Sequence, residues 1–348
     1  MTYLKHSEVV ASIHSKFEIA KSSGALFFYP STLSKATERG LNFEIAICPA
    51  LQKKPVLPAP DFAKFDKPDP FAPPYIPDLF VGELKDELDG DEFTILLNKF
   101  SVIPGHFLMV TKAFQSQNSP LTPPELTQTY LLIRASQKSK SPLFAFYNCG
   151  VDSGASQPHK HIQPPVEAYV QGLKIEDDTK VFSLPLPYTH FVQKLDLPKA
   201  TVSGTKPLPE QALDELSRKL TSIFLNLLDE AVQSVRLYHS SQDTPTGSGS
   251  ALSYNIILTS EHMHLIPRLR EQTLEELHPD GHGKTENESA AYTPQKLSVN
   301  SLGFAGMLLA KSEAEAQAIK ARGVVELLSQ VGVPNTGGKN DNVPESLA

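Results

Sequence analysis

Tryptophan is absent from this 348-residue chain, and cysteine is nearly so, with only Cys48 and Cys149. Two cysteines exclude a disulfide framework, and these two do not have the spacing of a metal-binding pair. We therefore expect two unpaired thiols in a reducing compartment. No apolar run approaches the roughly 18 residues that span a bilayer, and residues 1–24 lack the apolar core of a secretory signal. These absences predict a soluble cytoplasmic protein, with the nucleus as an open second location.

Positive charge is also scarce. Lysine and arginine total 32, against 39 aspartate and glutamate residues, so the formal net charge is −7. Proteins that bind long nucleic acids usually carry a basic surface, and we expect no nucleic acid polymer as a partner. A small anionic ligand is not excluded, because it needs only a few well-placed donors. No segment repeats along the chain, which excludes a solenoid.

The apolar pattern predicts an α+β fold. Helical spacing of apolar residues predicts a first helix that ends near Gly24 and a long helix over residues 210–238. Thr122 and Glu125 have the spacing of a capping box at a helix start. Strands are predicted at residues 42–48, 93–98, 107–111, 143–147, 188–195, 254–259 and 262–267. Many strands joined by short turns favour a mainly antiparallel sheet flanked by helices.

Proline is concentrated in one segment, residues 55–77, which contains eight of the chain's 29 prolines. This density excludes a helix or an interior strand there. We predict an extended surface segment that is held to the body of the protein by its aromatic residues, Phe62, Phe65, Phe71 and Tyr75.

The most distinctive stretch follows the predicted strand at residues 143–147. Asn148 is followed by a small-residue loop, 150–157, and then by His159-Lys160-His161-Ile162-Gln163. On a strand, side chains two residues apart point to the same face. We therefore expect His159, His161 and Gln163 to line one surface beside a loop suited to holding phosphate.

Three interpretations of this motif compete. A His-x-His pair on a strand can bind zinc, and His262 with His264 could supply further ligands. For an arbitrary pair, inert hydrogen-bonded histidines are the better expectation. The third interpretation is attack on phosphorus by a neutral imidazole whose second nitrogen is held by an acceptor. The loop favours the third, because its N–H groups, hydroxyls and the Gln157 amide can surround developing negative charge.

These residues together resemble the fungal diadenosine tetraphosphate phosphorylases, or ATP adenylyltransferases, of the histidine-triad superfamily. The resemblance rests on Asn148, Gly150, residues 153–157 and the His159 to Gln163 motif, and extends to residues 96–104, 300–311 and 334–336. It implies a histidine-triad-like fold, a mixed and mainly antiparallel sheet with flanking helices. The domain organisation expected is one catalytic domain over 1–331, made of an N-terminal half (1–170) and a C-terminal half (188–331) that completes the nucleotide site, followed by a polar, disordered tail (332–348).

The resemblance also implies a role for each matching position. His161 is the nucleophile, and His159 and Gln163 are the other catalytic residues. The positions that would contact phosphate or nucleotide are Lys54, Asn98, Lys99, Asn148, Ser153, Gly154, Ala155, Ser156, Gln157, Asn300, Ser301, Leu302, Met307 and Lys311. No metal-ligating side chain and no organic cofactor are implied. Mg²⁺ is expected to arrive on the substrate's phosphates.

Gln163 stands where the hydrolases of the superfamily carry a third histidine. An amide can hydrogen-bond but cannot shuttle a proton, which favours transfer over hydrolysis. In the implied reversible reaction, His161 attacks the α-phosphorus of diadenosine tetraphosphate and ATP leaves. Inorganic phosphate then removes AMP from the histidine as ADP. Two alternatives stay open: a related adenylyltransferase or adenylylsulfate phosphorylase with the same intermediate, and a non-catalytic nucleotide-binding protein. Nucleotides and phosphate are the expected partners of a monomer.

Overall fold

The computed structural model describes residues 3–53, 68–137, 139, 142–165, 180–198, 201, 206–241, 252–277 and 295–335. The helices in these residues are α1 (His6–Ser22), α2 (Pro123–Ser136), α3 (Glu210–Ser241), α4 (Ser301–Phe304), α5 (Glu313–Arg322) and α6 (Val324–Val331). The strands are β1 (Phe27–Phe28), β2 (Thr32–Glu38), β3 (Leu41–Ile47), β4 (Phe80–Lys85), β5 (Glu92–Leu97), β6 (Phe100–Ser101), β7 (Phe107–Thr111), β8 (Ala145–Cys149), β9 (His161–Ile162), β10 (Phe182–Ser183), β11 (Phe191–Lys194), β12 (Tyr254–Leu258), β13 (His262–Pro267) and β14 (Met307–Ala310).

Two antiparallel sheets form the centre of the structure. One has the strand order β10-β11-β13-β12-β8, and the other has the order β4-β5-β7-β9. Parallel pairing joins β14 to β3 and β1 to β6 in two smaller sheets. The predicted α+β class with a mainly antiparallel sheet is therefore confirmed. No helix within the described ranges combines the length and apolar character that a bilayer span requires.

The two central sheets meet at the His159 to Gln163 motif. On one side, β9 pairs with β7, where His161 lies opposite Val110. On the other side, Gln163 and Phe146 of β8 exchange both main-chain hydrogen bonds, at 3.0 and 2.9 Å. The backbone of the motif is thus fixed from both directions, and this junction positions the site.

The sheet that contains β8 and β12 is buried on both faces. Alternate residues point to opposite sides of a strand, so Tyr147 and Ile256 pack in the cluster under α1, α2 and α3. Phe146 and Ile257 pack in a second cluster with β3, β14, α5 and α6. Burial on both faces explains why these strands read as continuous apolar runs rather than as an alternation of polar and apolar residues.

Most predicted elements are present. The strands that were not predicted are β1, β2, β4, β6 and β10, and the strand predicted at 188–195 is confined to Phe191–Lys194. The apolar stretch 302–310 divides into α4 and β14, which are separated by Gly306 at a φ of 97°. Phe62 and Phe65 of the proline-rich segment lie outside the described residues.

The expected disorder of the tail is wrong for its first residues. Gly332 bridges to Arg268, and Pro334 bridges to Tyr188. Val333 lies between them and is fully buried. An apolar side chain and main-chain pairing therefore hold this part of the tail against the C-terminal half. Residues 336–348 lie outside the described residues.

A buried ion pair ties β9 to α2. The side chain of Lys160 points away from the two histidines, and its Nζ lies 2.7 Å from Glu125 Oε2 and donates to the Pro120 carbonyl at 2.7 Å. Glu125 also accepts the backbone N–H of Thr122 at 2.7 Å, as the predicted capping box requires. Both side chains of the pair are at least 98% buried. Neither charge has access to water if its partner is lost.

We expect Lys160→Met to lower the free energy of unfolding by about 3–5 kcal/mol, because it leaves the Glu125 carboxylate buried without a cation. Urea denaturation followed by circular dichroism measures this loss. Adding Glu125→Gln to Lys160→Met should restore most of the stability, since no buried charge remains. Lys35→Met on the exposed face of β2 is the matched control. A loss below about 1 kcal/mol in Lys160→Met would contradict the prediction.

Candidate active site

His161 is held in one tautomer by its own strand. Its Nδ1 donates to the carbonyl oxygen of His159 at 2.8 Å, so in the neutral ring Nε2 carries the lone pair. Burial lowers the pKa of His161 to about 4. The ring is therefore neutral near pH 7, and Nε2 is the nitrogen that can act as a nucleophile.

Gln117 fixes the backbone of His161 and was missed by the sequence analysis. Its Oε1 accepts the His161 N–H at 2.8 Å, and its Nε2 donates to the carbonyl of Asn148 at 2.7 Å. The side chain is fully buried. A glutamine amide thus links the end of β8 to β9. No local sequence signal distinguishes Gln117 from an ordinary loop residue.

His159 is engaged at both ring nitrogens. Its Nε2 donates to the carbonyl of Thr111 at 2.7 Å, and its Nδ1 lies 2.7 Å from the carboxylate of Asp69. The ring is 1% exposed. His159 therefore has no nitrogen directed at a ligand, and its geometry suits a supporting role beside His161. Asp69 was not among the predicted site residues.

A second pair of polar residues lies beside the motif. Asn98 Nδ2 donates to His106 Nδ1 at 3.2 Å, and His106 is a buried residue that the sequence analysis did not select. Burial lowers the pKa of His106 to about 4, and His161 contributes in the same direction. The structure thus brings His106 close to His161. Gln163 is half-buried at the end of β9.

The small residues of the loop are required by packing within the protein. A Cβ on Gly150 would lie 2.4 Å from Ser253 Oγ, and a Cβ on Gly154 would lie 2.8 Å from the carbonyl of Val299. Both glycines have positive φ, at 92° and 78°. The buried hydroxyl of Ser153 donates to the Gly150 carbonyl at 2.6 Å.

The predicted loop contacts with ligand therefore differ in their access to solvent. The side chains of Ser153 and Ala155 are buried. Ser156 is exposed and Gln157 is partly exposed, as are Val151 and Asp152 at the start of the loop, so Ser156 and Gln157 are the predicted contacts with solvent access.

A buried network joins Asn148 to the C-terminal half. Asn148 Oδ1 accepts from the Ser301 N–H at 3.0 Å, the Ser301 hydroxyl at 2.6 Å and Asn255 Nδ2 at 2.9 Å. Asn300 caps α4 by accepting the Leu302 N–H at 3.0 Å. The structure thus brings the predicted residues Asn148, Asn300 and Ser301 together beside the loop.

Arg268 completes this network and was also missed. Its guanidinium donates to Asn255 Oδ1 at 2.5 Å, to the Val299 carbonyl at 2.9 Å and to the Ser153 carbonyl at 3.4 Å. Burial lowers the pKa of Arg268 to about 9. The buried cation fixes the loop against the segment that leads into α4.

Comparison with known proteins identifies the family. Residues 1–175 match the Ap4A phosphorylase N-terminal domain, and residues 184–334 match the ATP adenylyltransferase C-terminal domain. Diadenosine 5',5'''-P1,P4-tetraphosphate phosphorylase 2 of Saccharomyces cerevisiae is 30% identical over 342 residues, which cover 94% of this chain and 95% of that protein. The chain belongs to the Ap4A phosphorylase family.

Further similarities agree with this assignment. Protein APA1 of Saccharomyces cerevisiae is 27% identical over 97% of this chain and 98% of its own length. The crystal structure of yeast Ap4A phosphorylase Apa2 has a TM-score of 0.69 at 26% identity. The structure of Apa2 in complex with Ap4A has a TM-score of 0.67 at 25% identity. Each of these structures covers 97% of this chain and all of the matched chain.

The outlying positions implied by the family resemblance differ in their surroundings. Leu302 and Met307 lie in the apolar cluster, so their side chains pack in the core. Lys99 is exposed, with its Nζ 5.7 Å above the Phe100 ring. Lys311 follows β14, and its Nζ donates to Gln295 Oε1 at 3.0 Å. Lys54 lies outside the described residues. Contact of these residues with a nucleotide stays a prediction.

The second histidine pair does not complete a metal site with the motif. His264 Nδ1 lies 3.1 Å from His190 Nε2 within the central sheet. His159 and His161 are instead held by Thr111, Asp69 and a backbone carbonyl. In the part of the chain that the structure describes, no three His, Cys, Asp or Glu residues are grouped so that they could hold a metal. The alternative in which His262 and His264 supply further ligands to the motif does not fit these contacts, and His264 is buried in the sheet.

We expect nitrogen-15 NMR of histidine-labelled protein to show His161 as the Nδ1–H tautomer, with a titration midpoint near pH 4. The His159 carbonyl fixes the tautomer, and burial disfavours the charged ring. The signal is assigned by its loss in His161→Gln. A midpoint near the ordinary value of about 6.5, or an Nε2–H tautomer, would be inconsistent with this geometry.

Proposed function

We propose that this protein catalyses the reversible phosphorolysis of diadenosine tetraphosphate to ADP and ATP. The observation that carries the proposal is the hydrogen bond from His161 Nδ1 to the His159 carbonyl. This bond leaves Nε2 as an unprotonated nucleophile beside a loop that presents Ser156 and Gln157 to solvent. Membership of the Ap4A phosphorylase family supplies the substrate class.

In the first step, His161 Nε2 attacks the α-phosphorus of one adenosine. A nitrogen–phosphorus bond forms, the bond from that phosphorus to the bridging oxygen breaks, and ATP leaves. The ring gains positive charge as the bond forms, and the His159 carbonyl that accepts the Nδ1–H stabilises this charge. The product on the protein is AMP bound to His161.

In the second step, an oxygen of inorganic phosphate attacks the bound AMP, and ADP leaves while His161 recovers its lone pair. Gln163 directly follows β9, two residues after His161. Its amide can orient the acceptor but cannot take a proton from water. This limitation favours phosphate, which is already anionic, over water as the acceptor.

Two exposed aromatic rings on β1 and β6 form a surface on which a nucleotide base could stack. The exposed rings of Phe27 and Phe100 stack with centroids 5.8 Å apart, and Lys99 lies over Phe100. An adenine ring can stack on such aromatic side chains. Lys99, together with Lys54 and Lys311, would offset the charge of the phosphate chain. Mg²⁺ would enter on the substrate, bound through its phosphates.

Incubation with diadenosine tetraphosphate should yield ATP and ADP in equal amounts, and only when inorganic phosphate is present. His161→Ala should reduce this rate by about a thousandfold or more, because the nucleophile is lost. His14→Ala, at an exposed histidine of α1, is the matched control and should keep the rate. Products are separated by anion-exchange chromatography. Normal turnover by His161→Ala would refute the covalent mechanism.

We further expect Gln163→His to shift the outcome toward hydrolysis. A histidine at this position can take a proton from an attacking water, which the glutamine amide cannot do. ATP and AMP should then appear without phosphate, while the wild-type protein under the same conditions retains AMP on His161. The readout is the ratio of AMP to ADP as phosphate is varied. An unchanged ratio would show that Gln163 does not select the acceptor.

A further inference from the structure

One aspartate joins the proline-rich segment to the catalytic motif. We call residues 68–75 the strap. Asp69 lies near its start, and its two carboxylate oxygens have different partners. Oδ2 lies 2.7 Å from His159 Nδ1, and Oδ1 accepts the N–H of Phe71 at 2.9 Å. A single carboxylate thus fixes the ring of His159 and the backbone at Phe71 relative to each other.

Phe71 covers the reactive ring. Its centroid lies 5.1 Å from the ring of His161 and 6.0 Å from that of His159. Farther along the strap, the hydroxyl of Tyr75 lies 3.2 Å from Thr94 Oγ1, and the Tyr75 ring stacks on Phe80 at 5.2 Å. The strap is therefore anchored to β4 and β5 at one end and to His159 at the other.

We infer that Asp69 is a positioning residue for the reaction at His161, acting through His159 and Phe71. The inference rests on the proposed function, because it assigns a supporting residue to that reaction. Asp69 does not face a reacting atom, since both of its oxygens are engaged by the protein. Its effect reaches His161 by two routes, one through the ring of His159 and one through the covering ring of Phe71.

The first route is the ring of His159. Asp69 and Thr111 hold this ring from opposite sides. The carbonyl of residue 159 is held separately, because the N–H of the same peptide unit, on Lys160, donates to the Gln115 carbonyl at 2.8 Å. Without Asp69 the ring could therefore turn while its carbonyl stays in place, and it would leave its position beside Phe71, which contacts both histidine rings. His161 would then lose packing that aligns it with the phosphorus.

The second route is exclusion of water. Phe71 covers His161, and burial is the main cause of the lowered His161 pKa. Few charged groups compete with this effect. The titratable and charged groups around the two rings are Asp69 on the strap, His106 before β7, Lys160, which is turned away to Glu125, and Lys112, which pairs with Glu83 and Glu92. Loosening the strap should therefore raise the His161 pKa toward its ordinary value.

Asparagine can replace both contacts of Asp69, whereas alanine cannot. The Oδ1 of an asparagine would accept the Phe71 N–H. Its amide N–H would donate to His159 Nδ1 while His159 Nε2 still donates to Thr111. Asp69→Asn therefore keeps the geometry and removes the charge, and Asp69→Ala removes both. Comparing the two variants separates the effect of the Asp69 contacts from the effect of its charge.

The test measures kcat and KM for phosphorolysis from about pH 3.5 to pH 8 in the full-length protein, so that the range includes the His161 pKa of about 4. We expect Asp69→Ala to lower kcat about tenfold at pH 7.5, with KM changed by less than about threefold. The acid limb of kcat/KM should move up by about one pH unit, because a nucleophile with a raised pKa is protonated at higher pH. Asp69→Asn should stay within about threefold of wild type, with its acid limb in place. Asp78→Ala, at a half-buried aspartate that precedes β4, is the matched control.

Three results would overturn the inference. They are normal kcat and pH dependence in Asp69→Ala, equal losses in Asp69→Ala and Asp69→Asn, or a loss confined to KM. If Asp69→Ala does not fold by circular dichroism, Phe71→Ala decides the matter. It leaves the Asp69–His159 contact in place and should still move the acid limb upward, and an unmoved limb would refute the covering role. Failure of the proposed function looks different, because the wild-type protein would then show no phosphate-dependent turnover.

Discussion

The hydrogen bond between His161 Nδ1 and the His159 carbonyl is the contact on which the site depends. It decides which nitrogen of the reactive ring carries the lone pair. Because the acceptor is a main-chain carbonyl, the chemistry is set by the path of the backbone. That path is fixed by β7 on one side, by Phe146 on the other, and by the Gln117 amide at His161 itself. The two sheets and one buried glutamine thus together hold the backbone that orients the His161 ring.

The C-terminal half holds the loop of the site in place through a buried hydrogen-bond network. Arg268 and Asn255 hold the loop and Asn148, and Ser301 brings α4 onto the same asparagine oxygen. These groups are buried and mutually bonded, which gives them a structural part in the site. Among the described residues predicted to bind nucleotide, Ser156 of the loop and Lys99 are exposed, and their contact with a ligand stays a prediction. The buried residues of the C-terminal half therefore fix the structure of the site, and a few exposed residues form its surface.

The sequence predicted features that have a local signal. The alternation at residues 159–163 placed His161 and His159 together, and helical periodicity located α1 and α3. Strand β2 was missed because its residues are polar and half-exposed at a sheet edge. Gln117, Asp69 and Arg268 were missed for another reason. Each acts on residues 31 to 115 positions away, and nothing in its own neighbourhood marks it.

The pairing register of β9 at the junction between the two sheets decides which of its side chains face the site. Side chains on a strand alternate, so a slip of one residue in the pairing of β9 would exchange its two faces. Lys160 would enter the site, and His161 would face Glu125 beneath α2. The buried ion pair between Lys160 and Glu125 opposes such a slip. A buried charge pair on the opposite face of the strand thus helps to set the register that places His161, rather than Lys160, on the side of the site.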